Sequence, residues 1–338
     1  MQERMLFVIG APRSGTTMLQ RLLGSHAQIY TRPEPHLITP LAHLGPFATV
    51  DKAPYDHINA AQAQLEFIAD LPAGEQDYWD ACRAYCDTLY GRMLSGPGAK
   101  RHFFLDKTPA YALVLPFLAR VYPNARYLVL TRHPLAVLSS YANSFFEGDY
   151  EAALSFNDIL GRYLPAIATF LRRDDVAKYH LRYEDLVSSP ETHLEAVCHF
   201  LGIEYASEMV DYGRHQHVAG SYGDPKVKHH SRPSTSSLGL WARELASEPD
   251  KLELARRVVA RLSEEDLATW GYTKTLLFEP VTEAAGLPPP ASSKRWRWEP
   301  YRLQRKVFMA LRKDIHQRPH GKLLGKAKYY IDVLLREQ

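Results

Sequence analysis

The sequence is poor in cysteine and has no long apolar run, and each of these absences excludes a class of protein. Three cysteines in 338 residues cannot supply the disulfide framework of a small secreted domain. Cys82 and Cys86 lie four residues apart on a helical pattern, and two thiols alone do not make a zinc site. No apolar stretch approaches the roughly 20 residues that cross a bilayer, and the first one leads straight into a polar loop. We therefore expect a cytoplasmic protein with inert thiols and no bound metal.

The length and charge distribution predict a globular body followed by a basic tail. Apolar residues make up 46% of the chain and charged residues 23%, which are ordinary proportions for a globular protein. Residues 294–338 contain 13 basic and 4 acidic residues, a net charge of +9, so the preceding part has a net charge of −6. We predict one domain over residues 1–275, a linker over 276–293 and a helical tail over 294–338.

Apolar strand-like runs alternate with helical patterns along the predicted domain. The runs are MLFVIG, FFLDKT, ARYLVLT and KYHLRYEDLV. Nearly continuous apolar strands that alternate with helices predict a parallel sheet covered by helices on both faces, a three-layer, P-loop-like α/β fold. Residues 37–100 contain no strong strand pattern and predict a helical insert over one side of the sheet. Ligands of such folds bind at the carboxyl ends of the strands.

The loop after the first strand resembles a phosphate-binding loop that has lost its lysine. Gly10 and Gly15 keep the G-x-x-x-x-G spacing, but Thr16 stands where a lysine would contact the β- and γ-phosphates of a nucleotide. Arg13 supplies a planar cation inside the loop instead. Backbone N–H groups at the start of the following helix add further donors for an oxyanion. The predicted anion-binding residues are Arg13, Ser14, Gly15, Thr16 and Thr17.

A second anion-binding position is predicted where the strand YLVLT ends. Arg132 follows this strand, Pro134 suits the first position of a helix, and Ser140 lies eight residues after Arg132. A guanidinium and a hydroxyl at the same edge of the sheet as the first loop predict a bipartite site. Such a site suits a ligand with two anionic ends.

These motifs together resemble the sulfotransferases that use 3′-phosphoadenosine 5′-phosphosulfate (PAPS), over about residues 5 to 272. The resemblance implies that the first loop binds the 5′-phosphosulfate and that Arg132 and Ser140 bind the 3′-phosphate. The segment LRYEDLV is also similar to the family, which places Tyr183 near the nucleotide. A sulfuryl donor needs neither the loop lysine nor a metal ion, so the resemblance accounts for the missing lysine.

The same resemblance implies which residues act on the acceptor. Cytosolic phenol and steroid sulfotransferases have a histidine after a Lys-Thr pair, and here Pro109 occupies that position. Tyrosylprotein and several bacterial sulfotransferases use a glutamate after the first helix, which corresponds to Glu34. A polyketide-modifying group has a similar P-E-x-H-L stretch, so His36 stays open as an alternative base. Lys107 resembles the lysine that stabilises the bridging and sulfuryl oxygens.

Other assignments concern the acceptor, the loop 220–241 and the partners. We expect a small-molecule acceptor with a hydroxyl or an amine, bound beside the insert 37–100. The polar loop 220–241 is predicted to cover the nucleotide, with further candidates at Lys226, His229, His230 and Arg232. No specific nucleic-acid partner is expected, whereas a homodimer and membrane association of the tail are left open. The alternative functions are a P-loop small-molecule kinase and a non-catalytic anion-binding protein with a basic tail.

Overall fold

The structure is a computed structural model that describes residues 1–43, 63–215, 217 and 230–290. Over these residues, five strands form one sheet in the order β2-β3-β1-β4-β5, and every pair of neighbours is parallel. The strands are β1 (Met5–Ile9), β2 (Ile29–Pro33), β3 (Phe103–Lys107), β4 (Arg126–Thr131) and β5 (Ala177–Arg182). All five carboxyl ends therefore lie at one edge, which confirms the predicted parallel α/β fold.

Helices cover both faces of this sheet. The α-helices are α1 (Thr16–Gly24), α2 (Ile38–Ala42), α3 (Glu75–Ser95), α4 (Leu115–Val121), α5 (Pro134–Phe145), α6 (Tyr150–Phe156), α7 (Ile159–Leu171), α8 (Tyr183–Ser188), α9 (Pro190–Leu201), α10 (Leu240–Ser247), α11 (Pro249–Ala260), α12 (Glu264–Thr269) and α13 (Glu279–Glu283). Shorter 3₁₀ turns are Gln2–Arg4, Pro109–Leu113, Ser207–Arg214, Thr235–Ser237 and Leu276–Phe278. Helices α1, α8 and α9 pack on one face, and the larger set from α3 to α7 and α10 to α13 packs on the other.

The central strand β1 shows why the sequence pattern is continuous rather than alternating. Successive side chains of a strand point to opposite faces. Phe7 and Ile9 accordingly belong to one buried cluster, and Leu6 and Val8 belong to the other. Because both faces are covered, every residue of β1 is apolar and buried.

Strand β2 is absent from the sequence-based prediction. It lies at one edge of the sheet, and only Ile29 of its five residues is fully buried, so its pattern IYTRP lacks the apolar run of β1, β3 and β4. Its pairing with β3 places Pro33 opposite Lys107. This strand matters for the site because Glu34 follows it directly.

The described parts of the predicted insert and linker are both packed structure. Within 37–100, residues 38–42, 63–69 and 75–95 are helical. Residues 276–284, which the sequence analysis assigns to a linker, form a 3₁₀ turn and α13, and they bury Leu277 and Val281 in the main core. The apolar spacing of this short stretch was too brief to predict that packing. The predicted tail 294–338 lies outside the described residues.

A helix that crosses a membrane must be both long and predominantly apolar. Among the described residues, no helix meets both requirements.

Candidate active site

The loop between β1 and α1 depends on two glycines that allow close approach of neighbouring atoms. A Cβ atom at Gly10 would lie 2.7 Å from the Ser14 Oγ and 2.8 Å from the Leu130 carbonyl oxygen. Gly15 has a φ of 97°, and a Cβ there would lie 2.5 Å from the ring of Tyr183. The Ser14 hydroxyl donates to the Ala11 carbonyl at 2.7 Å and closes the loop from inside. The two glycines therefore allow the loop to fold tightly before α1 begins at Thr16.

Arg13 joins the two predicted anion-binding positions. Its backbone is left-handed, with a φ of 73°, and its Nε donates to the Ser140 Oγ at 3.3 Å. The Arg132 Nη1 in turn donates to the carbonyl oxygen of Arg13 at 3.0 Å. The loop after β1 and the residues after β4 therefore meet at one place, as the sequence predicts.

Tyr183 contacts both Arg132 and the loop between β1 and α1. It is the first residue of α8, and its ring lies 4.3 Å from the guanidinium carbon of Arg132, a cation–π distance. The same ring packs against Gly15. A tyrosine at this point thus holds both the Arg132 side chain and the loop.

Lys107 and Glu34 form the shortest ion pair in this region. Lys107 ends β3 and its side chain is fully buried, while the Glu34 side chain is 14% exposed. The Lys107 Nζ donates to the Glu34 Oε1 at 2.6 Å and to the Thr17 Oγ1 at 3.3 Å. Lys107 therefore connects the segment after β2 to the first turn of α1, next to the loop between β1 and α1.

The segment that carries Glu34 and His36 has an unusual backbone. Both residues have positive φ values, 33° for Glu34 and 55° for His36. Non-glycine residues pay about 1–2 kcal/mol for this conformation, and it is found at sites where the surrounding structure fixes it. The His36 Nε2 lies 3.7 Å from the Glu34 Oε2, so the carboxylate stands between the Lys107 ammonium and an imidazole.

Sequence reasoning missed His133, a buried histidine next to Arg132. Its ring stacks on Trp241 at 4.2 Å, and its backbone N–H donates to the Glu184 Oε1 at 2.9 Å. Burial and, to a smaller extent, the nearby cations of Arg182 and Arg132 together lower the pKa of His133 to about 3. The imidazole is therefore neutral near pH 7 and adds no positive charge beside Arg132.

The candidates of the predicted loop 220–241 are placed only in part. Lys226 and His229 lie outside the described residues. Arg232 is exposed and pairs with Asp211 at 3.1 Å and with Glu191 at 3.5 Å. His230 is exposed. Within the described ranges, no group of three or more histidine, cysteine, aspartate or glutamate side chains is arranged to hold a metal ion.

The fold and the site define an α/β protein with two clusters of cationic and hydroxyl side chains, around Arg13 and Arg132, and a lysine–glutamate pair at the carboxyl edge of a parallel sheet. The family model described as "Sulfotransferase family" matches residues 6–207 of the chain. This match covers more than half of the sequence, and the chain belongs to the sulfotransferase family. The resemblance inferred from the sequence motifs is thereby confirmed at the level of the family.

Two relatives share 28% and 22% sequence identity with this chain. Nodulation protein NoeE of Sinorhizobium fredii is 28% identical over 300 residues, which are 80% of this chain and 66% of NoeE. Protein-tyrosine sulfotransferase 1 of Danio rerio is 22% identical over 225 residues, which are 65% of this chain and 58% of that protein. The chain thus spans less than two thirds of the length of each relative, 66% of the first and 58% of the second.

A solved structure shares the fold. The sulfotransferase domain from the Synechococcus PCC 7002 olefin synthase aligns with a TM-score of 0.50 and 23% sequence identity. The alignment covers 77% of this chain and 95% of that domain. At this identity, the likeness establishes the shared architecture and nothing about the acceptor.

Proposed function

We propose that this sulfotransferase moves a sulfuryl group from PAPS to a hydroxyl or amine of a small-molecule acceptor. The observation that carries the proposal is the position of Lys107, whose Nζ lies within hydrogen-bond distance of both Glu34 and Thr17. A candidate base, a buried cation and the first turn of α1 therefore lie around one point. The acceptor would bind there, on the side of the insert 37–100.

The residues present fit a donor with two anionic ends. Arg13 and the start of α1 would hold the 5′-phosphosulfate, because an open helix N-terminus and a guanidinium both favour an oxyanion. Arg132 and Ser140 would hold the 3′-phosphate, and Tyr183 would support Arg132 from below. When bound, the donor supplies the sulfuryl group and leaves as 3′,5′-adenosine bisphosphate.

The roles of the acceptor-side residues follow from their geometry. Glu34 would take the proton of the acceptor at a carboxylate oxygen, because a base must lie within hydrogen-bond distance of the proton that it removes. Lys107 would turn from Glu34 to the sulfuryl oxygens and stabilise the charge that builds there. His36 remains an alternative base, since its Nε2 lies 3.7 Å from the Glu34 carboxylate and its side chain is 40% exposed.

The two alternatives from the sequence gain no support. A P-loop kinase needs the loop lysine that Thr16 replaces, and family membership points away from a phosphoryl donor. A non-catalytic anion-binding protein leaves the Glu34–Lys107 pair without a use. The cytoplasmic location, the homodimer and the membrane contact of the tail remain proposals that rest on sequence alone.

The first test measures the affinity for 3′,5′-adenosine bisphosphate against that for ATP with Mg²⁺ by calorimetry. We expect the bisphosphate to bind more tightly, and Arg132→Ala to weaken it by about 10- to 100-fold, the range for one charge-assisted hydrogen bond. Arg162→Ala is the matched control, because Arg162 is exposed and donates to Asn157 far along the chain from the loop. A preference for ATP, or equal affinities for the wild type and Arg132→Ala, contradicts the assigned donor site.

The acceptor side is tested with ³⁵S-labelled donor and a panel of alcohols, phenols, sugars and amines. We expect transfer to at least one acceptor class, reduced on the order of 100-fold in Glu34→Gln, the scale set by removal of one catalytic group. An unchanged rate in Glu34→Gln together with a large loss in His36→Gln would reassign the base to His36.

A further inference from the structure

A buried carboxyl group lies behind the Glu34–Lys107 pair, on the opposite side of β3. Asp106 is fully buried and precedes Lys107 in the strand. Because successive strand residues face opposite ways, the Lys107 side chain reaches the candidate site while Asp106 points into the core beneath it. Burial raises the pKa of Asp106, and the hydrogen bonds around it act in the opposite direction.

Three hydroxyl groups donate to this carboxyl group. The Tyr90 hydroxyl lies 2.6 Å and the Tyr111 hydroxyl 3.0 Å from the Asp106 Oδ2, and the Thr108 hydroxyl lies 2.9 Å from the Oδ1. Tyr90 belongs to α3, whereas Thr108 and Tyr111 follow β3. A single buried carboxyl group therefore ties the insert helix to the end of the strand that carries Lys107.

The network continues to the segment that carries the candidate base. The Tyr111 hydroxyl accepts a hydrogen bond from the backbone N–H of Ile38 at 3.2 Å. Ile38 is buried, begins α2 and lies four residues after Glu34. The segment from Glu34 to Ile38 is thus held at one end by Lys107 and at the other by Tyr111.

This second attachment matters because of the backbone between them. Glu34 and His36 both have positive φ values, and such conformations persist only where the surrounding contacts fix them. The Tyr111–Ile38 contact is thus one of the two attachments that flank these positive φ values, the other being the Glu34–Lys107 pair.

We propose that Asp106 and Tyr111 are positioning residues, which act through Ile38 to hold the Glu34 carboxylate in its place beside Lys107. The contribution to transfer rests on the proposed function of Glu34, whereas the contribution to the conformation of residues 34–38 does not. The two parts are therefore tested by separate measurements.

The chain offers a control for a tyrosine–carboxylate contact, made by a buried tyrosine to a partly buried carboxylate. Tyr122 is fully buried in the same core, and its hydroxyl donates to the Asp87 Oδ1 at 2.8 Å. Tyr122→Phe removes one such hydrogen bond, as Tyr111→Phe does, but it leaves Asp106 and Ile38 untouched. A general loss of stability affects both variants, and a positioning role affects only Tyr111→Phe.

The first measurement is hydrogen–deuterium exchange of the amides between residues 34 and 42, in the whole chain without ligand. We expect the Ile38 amide to exchange at least about 10-fold faster in Tyr111→Phe and in Asp106→Asn, since it loses its buried acceptor or the support of that acceptor. Tyr122→Phe is expected to match the wild type in this segment. Equal exchange in Tyr111→Phe and Tyr122→Phe would overturn the proposal.

The second measurement is kinetic and separates positioning from folding. With the acceptor found in the panel, we expect Tyr111→Phe to lower kcat on the order of 10-fold, because small misplacements of a base are costly. Calorimetry should show that Tyr111→Phe leaves the affinity for 3′,5′-adenosine bisphosphate unchanged within about 2-fold. When Glu34 is already replaced by glutamine, adding Tyr111→Phe should lower kcat by less than about 2-fold. Additive losses in the double variant would show that Tyr111 does not act through Glu34. If no acceptor is sulfated, the proposed function fails, while the exchange measurement still decides the conformational part.

Discussion

At the residue scale, the site depends on contacts between positions far apart in the sequence. Arg13 meets Ser140 across 127 positions, and Lys107 meets Glu34 across 73. The glycines of the loop serve these contacts, since Gly15 makes room for the ring of Tyr183. The effect of a substitution therefore depends on which atoms lie close to the residue. Gly15, which is in contact with a ring, and Gly91, which has open space beside it, illustrate this dependence.

Gly15→Ala is expected to damage the loop, whereas Gly91→Ala is expected to stabilise the protein. The left-handed backbone at Gly15 costs alanine about 1–2 kcal/mol, and the added Cβ would overlap the Tyr183 ring. Gly91 lies inside α3 with no atom within 4 Å of an added Cβ, so alanine there should raise the free energy of unfolding by about 0.5–1 kcal/mol. Urea denaturation measures the free energy of unfolding of both variants, and calorimetry measures their affinity for 3′,5′-adenosine bisphosphate. Unchanged bisphosphate affinity in Gly15→Ala would contradict the close packing of Tyr183 on the loop.

At the scale of elements, the helices after β4 and β5 are joined by aromatic and polar contacts behind Arg132. His133 precedes α5 and stacks on Trp241 of α10, while Tyr272 approaches its edge with ring centres 5.0 Å apart. Its backbone N–H reaches Glu184 in α8. A neutral, buried imidazole therefore joins three elements, and protonating it opposes their packing.

This arrangement predicts a loss of stability in acid that depends on His133. Its pKa is about 3 in the folded protein and 6.5 for a free histidine side chain, so below pH 6.5 the unfolded chain binds a proton that the folded chain does not. The free energy of unfolding then falls as the pH is lowered from about 6.5 towards 3, by up to about 1.4 kcal/mol per pH unit from this group. Burial lowers the pKa of His180 too, so this residue also reduces the free energy of unfolding as the pH is lowered.

The contribution of His133 is isolated by comparing His133→Gln with the wild type. Between pH 6.5 and 4.5, we expect the decline in the free energy of unfolding to be smaller in the variant by about 2–3 kcal/mol. Urea titrations at a series of pH values measure both curves. Two parallel curves would mean that the imidazole is protonated in the folded state over this range.

At the scale of the whole molecule, the charge is divided unevenly along the chain. Residues 1–293 have a net charge of −6 and residues 294–338 a net charge of +9. Residues 276–284 still belong to the packed body, because Leu277 and Val281 are buried in the main core. The basic segment begins at residue 294, ten residues after these packed residues.

We predict that the full chain binds vesicles containing anionic lipid through residues 294–338, and that salt weakens this binding. Clustered Lys and Arg near an anionic surface are worth about 1 kcal/mol each, and the attraction is screened over about 10 Å at 0.1 M salt. Sedimentation with vesicles at increasing salt measures it, with neutral vesicles as the control. A chain ending at residue 293 should lose vesicle binding and keep bisphosphate affinity. Retention by that shorter chain would assign the contact to the body.

The sequence predicted four of the strands and the loop correctly because those features are local. Continuous apolar runs identified β1, β3 and β4, and glycine spacing identified the loop. Strand β5 was identified from the segment KYHLRYEDLV, although only Leu181 is buried within the strand. Strand β2 was missed because IYTRP has apolar residues only at its start and ends at a proline, and the packing of residues 276–284 was missed because the stretch is short. His133 gave no signal, since an imidazole is neutral or charged according to what surrounds it.

By itself, the sequence determined the parallel α/β class and the tight loop between β1 and α1, and its resemblance to a known family supplied the candidate residues from Arg13 to Tyr183. The class and the loop depend on periodicity and spacing, which a single chain displays directly. The tertiary structure alone decided that Lys107 contacts Glu34, that Asp106 is linked through Tyr111 to Ile38, and that His133 is neutral. Each of these depends on the distance between segments and on their exclusion from water, and both quantities exist only once the sheet and its helices have packed.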